Sequence, residues 1–302
     1  PLLETLGIPT HMFPPLCQPG TLLGSLPAVL AVETGASALP VIAPACHDTG
    51  SAVAAVPAQN QDFAWLSSGT WSIMGAEVHR PNLTSQALTY NFTNEGGVGG
   101  TWRLSKNIMG LWIVQECRRA WSAQGNDLSY TDLTRLASTA RPFVAVIDPD
   151  AELFFHPGDM PEKVGNYCQN TEQVMPGSPG EVVRLVLESL ALKYRLTLQQ
   201  LEQLVGRRLD PIHVIGGGSQ NRLLNQFTAD CTGRTVIAGP VEATAIGNIL
   251  MQAIALGYLA SLPDARLMVH RSFDVETFHP TGSAGWDAAF EKLLSLSGSL
   301  PA

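Results

Sequence analysis

The segment Pro211–Asn248, PIHVIGGGSQNRLLNQFTADCTGRTVIAGPVEATAIGN, decides the fold. A short apolar run, Ile212–Ile215, leads into three consecutive glycines, Gly216, Gly217 and Gly218. Leu223, Leu224 and Phe227 then recur at helical spacing. A second β-type run, Thr235–Ala238, ends at Gly239-Pro240 and another helical segment follows. The pattern predicts strand, glycine turn, helix, strand, helix. Without a Cβ, glycine takes positive φ and lets a ligand approach the backbone. The turn feeds a helix N-terminus, whose unpaired N–H groups and dipole favour an anion or a polar ligand edge. A nucleotide suits such a turn, and so does a plain strand-to-helix connection with no ligand. Neither the Walker A spacing nor G-x-G-x-x-G is present.

Working outward, the chain has 302 residues, 45% of them hydrophobic and 15% charged, which predicts a packed globular protein of one large or two ordinary domains. A net charge of −8 without Lys/Arg clusters argues against a nucleic-acid partner. No apolar run has the length to span a bilayer, and Leu22–Val32, broken by Gly24 and Pro27, lacks the basic flank of a signal peptide. Cys17, Cys46, Cys117, Cys168 and Cys231 are odd in number, widely spaced and free of C-x-x-C pairs. The expectation is incidental thiols in a reducing cytoplasm, with no zinc site.

Upstream, Leu2–Leu6 reads as the end of a helix, Ser25–Gly35 as a helix and Leu39–Ala43 as a strand. The polar triplet His47-Asp48-Thr49 then precedes a small-residue helix at Ser51–Val56. An Asp at that place is suited to face a cleft or to cap the helix. Phe63–Ser67 and Trp71–Glu77 form a hairpin whose hydroxyl-rich tip, Ser67-Ser68-Gly69-Thr70, is either an ordinary turn or a holder of phosphate oxygens. Tyr90–Glu95 and Thr101–Leu104 flank a glycine loop. Lys106–Ala123 reads as one amphipathic helix, which puts Asn107 and Gln115 near one face about two turns apart. Further along, Thr131–Ala140 is helical, Phe143–Asp148 a strand and Cys168–Val174 helical. Ser178 with Glu181 opens the longest helix, Pro179–Val205, which Gly206 closes. Helices at Glu242–Leu259 and Ala284–Leu296 finish the chain.

Five separate motifs then occur in one order: HDTGSA (47–52), SSGTWS (67–72), NIMGLW with Gln115 (107–115), IGGGSQN (215–221) and AGPVEATAIGN (238–248). Together they resemble the FGGY carbohydrate-kinase family over nearly the whole chain, in the wording of its rhamnulokinase branch. The resemblance implies an α/β, actin-like, ribonuclease-H-type ATPase domain, the family's C-terminal part, with a remnant of the N-terminal domain. Residues 1–50 are then expected to be the tail of the sugar-binding domain and 51–302 the ATP-binding domain.

The implied reaction is ATP- and Mg²⁺-dependent phosphorylation of L-rhamnulose at its 1-hydroxyl, in the cytoplasm. Its partners are small molecules, a ketose and ATP, and not nucleic acid or membrane. Asp48 matches the catalytic base, His47, Thr49 and Asn107 match sugar contacts, and Thr70, Gln115 and Gly217 match ATP contacts. No residue is matched to a metal. The chain opens at Pro1 and lacks the family's opening Asp-x-Gly phosphate loop, so most of the N-terminal domain is expected to lie outside it. Only Cys231 stands where some members carry cysteine pairs, so no disulfide is expected there. A fuculokinase-type enzyme and a non-catalytic nucleotide-binding module are the alternatives. Retention of Asp48 speaks against the second.

Overall fold

The computed structural model describes residues 2–36, 39–282 and 284–298. Ahead of residue 48 lie helix α1 (Leu2–Thr5), strand β1 (Thr21–Ser25), helix α2 (Ala28–Thr34) and strand β2 (Pro40–Ala43). β1 and β2 pair antiparallel in a sheet of their own, and Gly35 ends α2 in the left-handed region at φ 69°. Helix α3 (Asp48–Ala54) follows. The chain then runs through β3 (Ala64–Ser68), β4 (Trp71–Val78), the short helix α4 (Ser85–Thr89), β5 (Thr93–Gly96) and β6 (Trp102–Met109), with β6 inserted between β4 and β5. Helices α5 (Trp112–Ala123), α6 (Tyr130–Thr139), α7 (Met160–Asn170) and α8 (Pro179–Val205) lead to β7 (Ile212–Ile215). The chain then alternates through α9 (Arg222–Thr232), β8 (Val236–Ala238), α10 (Ala243–Ala255), α11 (Leu262–Ser272), β9 (Glu276–Phe278) and α12 (Trp286–Leu296).

One seven-stranded sheet holds β5-β6-β4-β3-β7-β8-β9 in that order. β7 is parallel to β3 and to β8, and every other pair is antiparallel. An antiparallel block continued by parallel strands through helical crossovers is the ribonuclease-H-like, actin-like arrangement that the motifs imply. The central strands are buried on both faces, so their residues alternate between two cores. Leu66, Ile212 and Val214 join the large core that α6, α8 and α9 cover, while Trp65 and Ile215 join a second core with Val53, Ala243 and Leu250. Helix α8 is buried on most of its sides, polar residues such as Glu188 and Lys193 included, because it packs against the sheet and against other helices. Leu→Ala there is expected to cost about 2–5 kcal/mol.

The motif-bearing stretch behaves as its spacing predicts, as does α8. Four expectations change. Lys106–Ala123 is not one helix. All of Trp102–Met109 is paired to β4, from Val78↔Trp102 to Trp71↔Met109, and the helix starts only at Trp112. Gly110 makes the break, since a Cβ there would lie 2.6 Å from the Trp71 carbonyl carbon and 2.7 Å from Gly69 O. Phe143–Asp148 is not a strand. Side chains serve its N–H groups in place of a neighbouring strand: Glu188 for Phe143, Gln173 for Val146, Ser189 for Ile147 and Tyr167 for Asp148. The helix expected at Cys168–Val174 is earlier, Met160–Asn170. At the start of α8, Ser178 accepts the Glu181 N–H, but the Glu181 carboxylate turns to the Gly177 N–H, so the capping box is half formed.

Candidate functional site

The tip of the β3–β4 hairpin organises the site. Ser68↔Ser72 is the last pair of the ladder, and the Gly69 N–H bonds Trp71 O at 2.9 Å. The tip carbonyls are then taken by the start of α5. Leu111 N donates to Gly69 O at 2.9 Å and Trp112 N to Thr70 O at 3.1 Å. Four free N–H groups at a helix start need acceptors, and here the hairpin supplies two of them. Residues 69–70 are thus held without side-chain bulk.

On one side of the tip lies a groove of about 1060 Å³ lined by Gly69, Thr70, Gln115, Gly217 and Gly218, with Arg135 and Arg222 at its edge. Thr70 and Gln115 touch directly, Thr70 Oγ1 donating to Gln115 Oε1 at 3.1 Å. The structure therefore brings Thr70, Gln115 and Gly217 together from three distant parts of the chain. The glycines divide the work. Gly216 sits at φ 84°, a conformation side chains rarely adopt. Gly217 faces open space, while a Cβ on Gly218 would come 2.0 Å from Ser68 Oγ. The turn enters a 3₁₀ turn, Gly217–Gln220, before Asn221 caps α9 by accepting the Leu224 N–H at 3.0 Å. The glycines thus do not open directly onto the α-helix.

On the other side is a cavity of about 390 Å³ lined by His47, Asp48, Thr49, Ser67, Trp71, Ile73 and Asn107. The four residues expected to meet there do so. Asn107 arrives from β6, opposite Ile73 of β4, and so shares no helix face with Gln115. Asp48 is not the N-cap of α3. It is the first helical residue, and His47 occupies the cap position without a side-chain cap bond. The Asp48 side chain is 75% exposed. Its Oδ1 accepts Thr49 N at 2.6 Å and Thr49 Oγ1 at 3.3 Å, with His47 Nε2 at 3.3 Å. Among the described residues no group donates to Oδ2.

Helix α3 is held from behind by α10. A Cβ on Gly247 would lie 1.8 Å from Ser51 O, and Thr244 Oγ1 donates to Asp48 O at 3.3 Å. The small residues of AGPVEATAIGN therefore serve backbone approach between helices at Gly247. Glu95 and Arg103 were not singled out from sequence, yet they stand behind His47. Arg103 Nη2 donates to Glu95 Oε2 at 2.6 Å and lies 3.3 Å from His47 Nδ1. Burial pushes the Arg103 pKa down, with Glu95, Asp48 and Glu77 opposing. The only sequence signal was a Glu and an Arg on facing sides of the glycine loop. Among the described residues, no three His, Cys, Asp or Glu side chains converge in a way that could hold a metal ion. The same residues contain no helix long and apolar enough to cross a membrane.

The sequence matches the C-terminal domain of the FGGY family of carbohydrate kinases over residues 64–256. It is 47% identical to a rhamnulokinase of Bacteroides thetaiotaomicron over 96% of this chain and 59% of that protein. The rhamnulokinase of Oceanobacillus iheyensis is 43% identical over 92% of this chain and 58% of its own length. The chain thus spans somewhat over half the length of these curated relatives. Among solved structures, the fold is similar to a xylulose kinase from Rhodospirillum rubrum, at TM-score 0.75 and 18% identity, covering 99% of this chain and 59% of that one. It is also similar to a Plasmodium falciparum glycerol kinase solved with ADP, at TM-score 0.70 and 14% identity, covering 98% of this chain and 57% of that one. The matched domain covers more than half of the chain and includes both the hairpin and the glycine turn, so this chain belongs to the FGGY family of carbohydrate kinases.

Proposed function

We propose that the chain is the nucleotide-binding part of a kinase that transfers the γ-phosphoryl group of ATP to the 1-hydroxyl of L-rhamnulose in the cytoplasm. The observation that carries this reading is the partition made by the hairpin tip. Asp48, Thr49 and Asn107 line one side, and Thr70, Gln115 and Gly217 the other. A phosphoryl transfer needs an acceptor and a donor meeting end to end across one small barrier.

In this reading the sugar is held by His47, Thr49 and Asn107, and Asp48 Oδ2 takes the hydroxyl proton as the sugar oxygen attacks phosphorus. Thr70, through its hydroxyl and its own N–H, holds the terminal phosphates, Gln115 contacts the nucleotide, and the bare backbone at Gly217 accommodates the adenosine. Among the described residues no side-chain cluster fits a protein-held cation, so Mg²⁺ is read as arriving on the phosphate oxygens it prefers, and no step is assigned to it. Residues 1–50 are read as the tail of a preceding sugar-binding domain and 51–302 as the ATP-binding domain. Support comes from the separate β1–β2 sheet and from Leu16, Leu23 and Val32, which leave large apolar side chains in solvent. That boundary falls inside α3.

The test is ADP release with a panel of ketoses, using a protein extended to the full length of its relatives. Turnover with L-rhamnulose well above that with L-fuculose or with ATP alone is expected. A preference for L-fuculose would reassign the sugar, and ketose-independent ADP release would sink the kinase reading.

A further inference from the structure

We propose that Arg103 sets the tautomer of His47, so that the neutral ring turns Nε2–H to Asp48 and fixes which carboxylate oxygen meets the substrate; Arg103 is a positioning residue. The catalytic purpose rests on Asp48 being the base, but the tautomer does not.

A guanidinium donates only and never accepts. Arg103 Nη2 carries two hydrogens and has two partners within reach, Glu95 Oε2 at 2.6 Å and His47 Nδ1 at 3.3 Å. With one hydrogen to each, Nδ1 must present its lone pair. The ring proton then sits on Nε2, which lies 3.3 Å from Asp48 Oδ1. The tautomer of a histidine follows from the bond its other nitrogen makes. Glu95 Oε2 competes, since it lies 3.4 Å from the same Nδ1 and accepts where Arg103 donates. The guanidinium is the better-fixed rival. Its side chain is 3% exposed against 42% for Glu95, and Arg103 Nε also reaches Gly96 O. Gly50 packs on it, since a Cβ there would lie 3.5 Å from Arg103 Cζ. The charged groups around the ring are therefore Asp48 on α3, Glu95 on β5 and Arg103 on β6, with Glu77 on β4 behind Arg103.

The consequence reaches the carboxylate. Thr49 N, Thr49 Oγ1 and His47 Nε2–H all converge on Oδ1. Oδ2 is left for the incoming hydroxyl. Were Nδ1 to carry the proton, a lone pair would face Oδ1 and push the carboxylate out of this orientation.

The experiment is ¹⁵N NMR of the ¹⁵N-histidine-labelled chain at pH 8, with His47 assigned from the signal lost in His47→Gln. The expected result is a pyridine-type Nδ1 and a protonated Nε2. Arg103→Met should move the proton to Nδ1, where Glu95 accepts it, and Glu95→Gln should leave Nε2–H in place. Arg103→Lys still donates and should keep the native signal in part. If Arg103→Met fails to fold, the native spectrum decides alone, since the proposal requires a pyridine-type Nδ1. A native ring protonated at Nδ1, or one unmoved by Arg103→Met, overturns the proposal.

In the full-length protein, Arg103→Met should lower kcat about tenfold with little change in KM for ATP, and Arg103→Lys should recover part of it. A flipped tautomer with unchanged kcat overturns the positioning role. Absence of ketose-dependent turnover in the unmutated protein would strike the kinase reading alone, and the NMR result would still decide the tautomer.

Discussion

The two sides of the hairpin tip are built in opposite ways. The Asp48 cavity is made of polar side chains aimed by other side chains: Thr49 and His47 on the carboxylate, Arg103 and Glu95 behind the histidine. The groove is lined mostly by side chains of α5, α6 and α9, and glycine opens it at Gly69 and Gly217, where an added Cβ would meet little or nothing. The difference matches two physical tasks. In the proposed reaction one side would place a single oxygen, which needs directional contacts, and the other would admit a polyanionic nucleotide, which needs space and backbone donors.

The contrast can be broken most severely at Asp48. Asp48→Asn removes the acceptor proposed for the hydroxyl proton, and kcat in the full-length protein should fall roughly a hundred- to ten-thousand-fold. ATP affinity by calorimetry should barely change. Equal loss of both would mean that the two sides are not separate.

The second test is acid. His213 lies on β7, the strand that delivers the glycine turn. Burial, aided by Arg266 and His270, holds its pKa down at about 3. Its unfolded value is about 6.5. Between these values the unfolded chain binds the extra proton, so stability is complete above about pH 6.5 and falls as the pH drops. The slope is at most about 1.4 kcal/mol per pH unit. Urea midpoints at pH 7 and pH 5 should separate in the native chain and converge in His213→Leu. A parallel fall in both would assign the acid weakness elsewhere.

Third, the glycines should rank by the space around them. Gly247→Ala and Gly218→Ala force a Cβ onto Ser51 O and Ser68 Oγ, and each should cost about 1–3 kcal/mol in denaturant titrations. Gly217→Ala meets nothing within 4 Å and should stay within about 0.5 kcal/mol of the native chain, while weakening ATP binding several-fold. Unchanged ATP affinity in that variant would remove Gly217 from the nucleotide side.

Between these, Tyr194→Phe should cost about 1–3 kcal/mol, because Ser72 Oγ loses its partner at 2.7 Å inside the core. Burial is also the main reason the tyrosine pKa is pushed up to about 12. A neutral result would show that the hairpin needs no brace from α8.

Much of this was legible in the sequence because it rests on local chemistry. Glycines mark the turn after β7, small hydroxyl residues mark the hairpin tip, and Gly206 ends α8 in the left-handed region. What stayed hidden depends on contacts across the chain. Asn107 and Ile108 read as helix because Ile108, Leu111 and Trp112 share a helical period, yet pairing with β4 overrides that period. Phe143–Asp148 has strand composition but no strand beside it. Asp48 by itself reads first as a helix cap, and the backbone puts His47 at that position instead. Arg103 and Glu95 carry no local signal, since their meaning lies in a histidine 56 residues upstream of the arginine.

The contact between Gly247 and Ser51 has a further consequence. Two backbones this close cannot slide or tilt independently, so α3 and α10 travel as one rigid wedge. A displacement of α3 would therefore carry α10 with it. If the Asp48 cavity holds the proposed sugar, a redesign of its preference would be free to alter Trp71 or Asn107 on the sheet side, whereas insertions within α3 or α10 would shift Asp48 relative to the hairpin tip.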